Sequence, residues 1–399
     1  MEAKTWHKPE ALESNEAAER LPLPDECRSF ATTARSRHGD LQMMKSRTLR
    51  IALTVAAAAV LAGCSSSAAT TAPVVTTAPV VTTAPVATPV ATPAKVYTMK
   101  DMTVGFIQTG SESGWRAANT SSFKETATTD GITLKFYDSQ NKIENQITAF
   151  NTFIQDPTVN VIVLAAVGTT GYDDVLKAAK AAGKVVVIED RRIEADASLY
   201  YTYIGSDFIK EGHEGEAAMC DLLKGKATAN VIEVGGDQAA SAAIDRHKGF
   251  AEALPNCTTT KMTVLDYQNA PAWDPVQGKA IMEAFLKKYP GKIDAVMGHN
   301  DELAIAAIQA IDASGLKAGK DVQVVGFDAT ADGFKYLING ELGADIECNP
   351  LLAPQVYKAA LDALNGVTGQ QAWTPSQEGQ FFAAQGASAL QAILATRKY

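Results

Sequence analysis

Residues 159–189 read VNVIVLAAVGTTGYDDVLKAAKAAGKVVVIE, and the reading of this stretch decides the fold. Val159–Ala166 is a continuous apolar run rather than an alternating one, as a strand covered on both faces requires. Tyr172–Ala182 reads as a helix, and Lys184–Glu189 as a second apolar strand. Strand, helix and strand within roughly thirty residues make one βαβ unit, the building block of a parallel sheet.

Upstream, Met102–Gln108 (MTVGFIQ) and Thr133–Tyr137 read as strands, and Trp115–Asp130 as a helix. Glu144–Asp156 is helical, with Ile147, Phe150 and Ile154 as its apolar positions. The order βαβαβαβ is that of a doubly wound parallel sheet. The pattern then restarts. Glu211–Leu223, Ser241–Leu254, Pro275–Tyr289 and Asp301–Ser314 are expected as helices. Ala229–Val234, Met262–Tyr267, Ala295–Gly298 and Val322–Phe327 are expected as strands between and after them. The expected architecture is α/β, with two similar doubly wound lobes and a cleft between them, which suits a hinge-closing ligand trap. The tail from Cys348 is expected to cross back to the first lobe and end near the second.

The chain of 399 residues carries Lys+Arg 36 and Asp+Glu 45, a formal net charge of −9. An acidic balance argues against a general nucleic-acid binder, which shows a basic stripe. Five Cys are too few and too scattered for a disulfide scaffold or a CxxC…CxxC zinc site.

The first hundred residues read differently. Lys45, Arg47 and Arg50 form a positive region, followed by an apolar run Ile51–Leu61 too short to span a bilayer. The run ends in Leu61-Ala62-Gly63-Cys64, which resembles the lipobox of bacterial lipoproteins. Residues 44–63 are therefore expected to be a lipoprotein signal peptide, with Cys64 the lipidated first mature residue. Residues 1–43 are read as an extension upstream of the true start, Met43 or Met44. Ser65–Ala94 repeats TTAPVV without charge and reads as an extended Pro/Thr-rich spacer, so 64–98 is expected as anchor and linker.

Ligands of open α/β sheets bind beyond the carboxyl ends of the strands. After the first strand comes Gly110-Ser111-Glu112-Ser113-Gly114-Trp115-Arg116, which is neither G-x-S-x-G nor G-x-G-x-x-G. Trp115 offers a face for stacking on a sugar ring, with Arg116 beside it. Asp190-Arg191-Arg192 follows the fourth strand; Asp accepts from hydroxyls, and Arg offers a planar fork. In the second half the strand ends lead to Gly235-Gly236-Asp237, Ala272-Trp273-Asp274, His299-Asn300-Asp301, Phe327-Asp328-Ala329 and Ile346-Glu347. Arg246 lies on the helix after Gly235-Gly236 and could face the cleft. Individually these polar residues could be helix caps, with Asp237 and Asp301 the best N-cap candidates. Their shared position at strand ends of both halves is the argument for a site. No Walker lysine follows the diglycine, so a phosphate cradle is disfavoured.

Catalytic and metal chemistry is sparse. His213, His247 and His299 form no HExxH and pair with no Cys at metal-ligand spacing, and no metal or cofactor is expected. A mixture of Arg and Asp suits binding of neutral polyols better than acid–base work. Outside the cell, Cys220 and Cys257 flank one strand and are the expected disulfide pair; the alternative leaves them and Cys348 free and buried.

The stretches Gly110–Arg116 (GSESGWR), Gly131–Lys135, Glu144–Ile147, Ala242–Ala253 with its Ile244-Asp245-Arg246, His299-Asn300-Asp301 and Ala306–Lys320 resemble one family. Over residues 99–399 the chain is similar to the periplasmic ribose/galactose-type sugar-binding proteins of ABC importers, and within them to the galactofuranose-binding branch. The resemblance implies two Rossmann-like lobes joined by a three-strand hinge (the type I periplasmic-binding fold). It implies an N-terminal lobe over 99–206 and 347–372, and a C-terminal lobe over 207–346 and 373–399. By position, Asp190, Arg191, Arg116 and Ser113 would bind sugar oxygens from the first lobe. Arg246, Asn300 and Asp328 would bind from the second, with Trp115 and Trp273 stacking and Glu347 in place of a hinge-strand amide or carboxylate. Three positions depart from the family pattern: Arg192 stands where a small polar residue is usual, Trp273 replaces Phe, and Asn349-Pro350 replaces a Thr-Pro-like turn.

The resulting expectation is a non-enzymatic, monomeric lipoprotein on the outer face of the cell membrane, held there by the lipid alone. It would capture a galactofuranose-like sugar or another aldose and deliver it to an ABC permease and its ATPase. The competing readings are a receptor feeding a sensor and a secreted sugar-acting enzyme, the latter needing two carboxyls about 5–10 Å apart across the ligand. A transcriptional regulator of the same fold would need a helix-turn-helix where the lipobox and spacer stand.

Overall fold

The computed structural model describes residues 95–399. The expected extension, signal peptide and Cys64, and the linker up to residue 94, lie outside the described residues. The folded chain begins a little before the expected residue 99, because the Tyr97 amide donates to Asn365 Oδ1 at 2.8 Å.

The first sheet is built from β1 (Thr103–Gln108), β2 (Thr133–Asp138), β3 (Val161–Ala165), β4 (Val185–Glu189) and β5 (Thr202–Gly205). Helices α1 (Gly114–Asp130), α2 (Ile143–Gln155) and α3 (Asp173–Ala181) connect the first four strands. All five residues of β3 are buried, and its side chains divide between two cores. Val161 and Val163 face Phe123 of α1, while Ile162 and Leu164 face Phe150 of α2 and Leu176 of α3. Two covered faces explain the uninterrupted apolar runs.

The second sheet follows, starting with α4 (Phe208–Leu222), β6 (Thr228–Gly235), α5 (Ser241–Ala253), β7 (Lys261–Asn269) and α6 (Pro275–Lys288). It continues through β8 (Ala295–Gly298), α7 (Asp301–Ala313), β9 (Gln323–Asp328), α8 (Ala331–Asn339) and β10 (Ala344–Glu347). The chain then returns through α9 (Ala353–Leu364) and β11 (Trp373–Pro375) to the first sheet, and through β12 (Gln380–Phe382) and α10 (Ala387–Leu394) to the second.

The strand orders are β11-β5-β4-β3-β1-β2 and β12-β10-β9-β8-β6-β7. All pairings are parallel except β10 with β12. In each sheet the order reverses beside its first strand, which opens a crevice between β1 and β3 and between β6 and β8. The chain crosses between lobes at 206–207, 348–352 and 376–379. Because β11 pairs with β5, the third crossing lies after Pro375 and not at the expected 372/373 boundary. The crossings touch one another: Ser206 Oγ lies 3.2 Å from Cys348 Sγ and 3.1 Å from Ser376 Oγ, and Glu378 accepts from Ser206.

Strand β5 is absent from the sequence reading, because four residues after a long irregular loop carry too little pattern. Cys220 of α4 and Cys257 are joined by a disulfide with Cα atoms 5.7 Å apart. No helix among the described residues is long and apolar enough to cross a membrane.

Candidate functional site

A cavity lies between the lobes, lined by residues at or just after the carboxyl ends of β1, β4, β5, β7, β8, β9 and β10 and by α5. Ser113, Trp115, Arg116, Asp190 and Arg191 reach it from the first lobe. Arg246, Trp273, Asn300 and Asp328 reach it from the second.

On the first side, Ser113 caps α1, its Oγ accepting from the Arg116 amide at 3.0 Å. The cap turns Arg116 inward, where Nη2 donates to Asp190 Oδ2 at 2.6 Å and Nε to Glu112 Oε1 at 3.3 Å. Arg191 closes the group at 3.5 Å from Asp190 and 3.6 Å from Glu112. Burial works against the Glu112 charge, but Arg116 and Arg191 outweigh it and hold this carboxyl below its ordinary range. Two cations and two anions therefore form a compact neutral cluster. Trp115 Nε1 donates to the Cys348 carbonyl at 2.6 Å, which fixes the indole against the hinge.

On the second side, Arg246 is held by three elements. Nε donates to Glu211 Oε2 at 2.6 Å, Nη1 to the His299 carbonyl at 2.5 Å and Nη2 to Asp328 Oδ1 at 3.2 Å. The first bond depends on a close approach of α4 and α5. A Cβ on Gly212 would stand 2.4 Å from the Arg246 carbonyl oxygen, and one on Gly249 2.1 Å from that of Ile209. Burial pushes Glu211 and Asp328 well above the usual carboxylate range, against the pull of Arg246. One guanidinium thus stands between two buried carboxyls, and the charges on this side are paired within the lobe.

Asp190 (φ 60°), Trp273 (φ 60°) and Asp328 (φ 104°) are non-glycine residues in the left-handed region. Such strain costs about 1–3 kcal/mol per residue and concentrates at functional sites. Glu112 Oε2, Arg116 Nη1 and Trp273 Nε1 are buried polar atoms without a protein partner, and all three residues line the cavity. The site thus combines one acceptor and two donors with paired charges and aromatic faces.

The structure departs from the sequence reading at several residues. Glu347 does not line the cavity. Its Oε2 accepts from the Gly379 amide at 2.6 Å, and Oε1 from Tyr399 Oη at 2.5 Å, so it ties the second crossing to the third and to the C-terminal residues. Asp301 and Asp237 are not N-caps. Asn300 caps α7, accepting from the Leu303 amide at 2.9 Å, while Asp301 is buried against Thr330. Asp237 holds the Ala272 amide at 2.8 Å and so braces the turn that carries Trp273.

Four lining residues escape the sequence reading: Glu112, Phe208, Ala242 and Cys348. Glu112 stands four residues before Arg116, a spacing that signals the pair. Phe208 follows the unread strand β5, and Ala242 and Cys348 carry no chemical signal. Glu211, Cys348 and Glu378 bring potential metal-ligand atoms together at the hinge. Glu211 already serves Arg246, and Glu378 serves Ser206, so this group reads as hinge packing.

The family described as "Periplasmic binding protein domain" matches residues 104–370. The galactofuranose-binding protein of Escherichia coli (strain K12) is 43% identical over 261 residues, 65% of this chain and 80% of that protein. A solved structure from Mycobacterium smegmatis in complex with β-D-fucofuranose is 38% identical, with a TM-score of 0.69, covering 74% of this chain and 96% of its own. The binding component of the arabinose ABC transporter of Shewanella sp. ANA-3, bound to α- and β-L-arabinofuranose, is 37% identical. Its TM-score is 0.69, and the match covers 75% of this chain and 99% of its own.

Proposed function

The chain belongs to the periplasmic binding protein family, and from that premise we propose that it is a receptor for an aldose in its furanose form, handing the sugar to an ABC permease and its ATPase. The observation that carries this reading is the polar, charge-paired cavity between two lobes. Its charges are paired within each lobe, so no net charge is demanded of the ligand. Its unpartnered donors and acceptor call for hydroxyl and ring oxygens. Trp115 and Trp273 supply faces for the C–H side of a sugar ring. The furanose form is favoured by the sugar that one similar protein is named for and that the other two were solved with.

In this reading Asp190, Arg191, Arg116 and Ser113 bind from one lobe, and Arg246, Asn300 and Asp328 from the other. The ligand shifts the lobes toward closure because only the closed form lets both sets bind at once. The family's relatives are solute-binding proteins and not enzymes, and the cavity carboxyls are committed to arginines rather than poised across a ligand. Anchoring through a lipid on Cys64, on the outer face of the membrane, belongs to the same proposal and rests on the sequence from Lys45 to Cys64 alone.

Calorimetry on the purified protein tests the reading with D-galactose, L-arabinose, D-ribose and D-glucose. Methyl β-D-galactofuranoside and methyl β-D-galactopyranoside then separate the ring forms. Preference for the furanoside without turnover is the expected result, and no binding of any sugar overturns it. Radiolabelled lipid incorporated by the wild type but not by Cys64→Ser tests the anchor.

A further inference from the structure

Nothing in the cavity accounts for Arg192. Its side chain leaves the first lobe after β4 and crosses to α5 of the second. There Nε donates to Asp245 Oδ2 at 2.7 Å and Nη2 to Asp245 Oδ1 at 2.8 Å. This is the two-pronged geometry of the strong arginine–carboxylate pair. The Asp245 side chain is 8% exposed and that of Arg192 37%, so the pair sits at the rim of the cleft, partly shielded from water. Neither residue lines the cavity. Each is the chain neighbour of an arginine that does: Arg191 on one side and Arg246 on the other. A second bond crosses the cleft at another place on the rim, where the Gly114 amide donates to Glu302 Oε1 at 2.8 Å.

We propose that the Arg192–Asp245 pair is an inter-lobe latch that sets ligand affinity from outside the cavity, holding Arg191 and Arg246 at the spacing they have when the lobes are closed. The inference rests on the reading of the cleft as a capture site for a sugar. The apparent affinity of a trap equals its intrinsic affinity scaled by the fraction of molecules in the binding-competent state. A bond that exists only when the lobes meet raises that fraction and slows reopening, without touching the ligand. The effect therefore falls on dissociation and is the same for every sugar the cavity accepts. Lysine at 192 keeps the charge but loses the fork, so it restores only part of the effect.

The test uses Arg192→Ala, Asp245→Ala, the double variant, Arg192→Lys and the charge exchange R192D/D245R, each checked by thermal melting. Binding and dissociation of L-arabinose and D-galactose are measured for each, and lobe separation in ligand-free protein is followed by X-ray scattering. Each alanine variant is expected to weaken both sugars by about 5- to 30-fold through faster dissociation. The double variant should be no worse than the singles, the exchange should recover part of the loss, and the order of sugar preference should stay the same. Ligand-free variants should scatter as more open molecules. The latch is overturned if the single variants bind and scatter as the wild type does, if their effects add, or if the order of preference changes. Wild-type protein that binds no sugar overturns the capture reading instead, and scattering still decides whether the pair holds the lobes together.

Discussion

Gly236 lies directly beneath the Trp273 indole: a Cβ built on residue 236 would stand 2.1 Å from the ring. The diglycine at 235–236 is thus no phosphate cradle. It is the floor that lets a tryptophan lie against the cavity, with Asp237 bracing the turn above it.

Gly236→Ala should therefore push the indole out of place. The expected result is at least tenfold weaker sugar binding with a stability loss of about 1–3 kcal/mol, the usual cost of overpacking. Calorimetry and thermal melting read the two effects separately. Unchanged affinity would mean that Trp273 takes no part in binding.

Asp328→Ala and Arg246→Ala should differ in kind. Without Asp328, Arg246 keeps Glu211 at 2.6 Å, so the fold survives while sugar binding is lost. Without Arg246, Glu211 and Asp328 remain buried with no guanidinium, and stability should fall by roughly 3–5 kcal/mol. Denaturant titration beside calorimetry distinguishes them. Equal destabilisation by both variants would contradict this division of roles.

The Asp301 and Asp345 carboxyls are buried together, and each leaves one oxygen without a donor, so a single shared proton satisfies both. Burial raises both, Asp345 to about 7. A carboxyl raised in the folded state holds a proton that the unfolded chain releases near pH 4. Its stabilisation is complete below that pH and is lost as pH rises through about 7. Asp345→Asn keeps a donor in place without titrating. The variant should melt close to wild type at pH 5 and several degrees higher at pH 8, and an advantage that does not grow with pH would refute the shared proton.

The Cys220–Cys257 disulfide spans a sequence separation of 37, worth about 4 kcal/mol in the chain-entropy account. Neither cysteine lines the cavity. The Cys220→Ser/Cys257→Ser variant should melt about 10 °C lower, at a few degrees per kcal/mol, with sugar affinity within about twofold of wild type. A large loss of affinity would show that α4 transmits strain to Arg246.

Much of this molecule is legible residue by residue. The largely apolar runs at 102–108, 159–166 and 184–189 contain the strands Thr103–Gln108, Val161–Ala165 and Val185–Glu189, because almost every residue of each strand is buried. The position of Asp190, Arg191, Asn300 and Asp328 around the cavity was reachable from sequence because the carboxyl ends of parallel strands open onto the cleft, and strand ends can be read locally. Strand β5 was not reachable, being too short to show a period. Phe208 and Cys348 enter the cavity only because the hinge brings two crossings together.

Local periodicity and the restart of the βα pattern by themselves determined an α/β fold with two lobes and a polar cleft. Tertiary structure alone decided that Glu347 ties the hinge rather than lining the cleft, that β11 joins the first sheet, and that Arg192 crosses to Asp245. The physical reason is distance along the chain. Burial repeats every two or three to four residues and leaves a trace in sequence. A bond between residues 53 apart depends on how two finished lobes meet, and no local pattern records that.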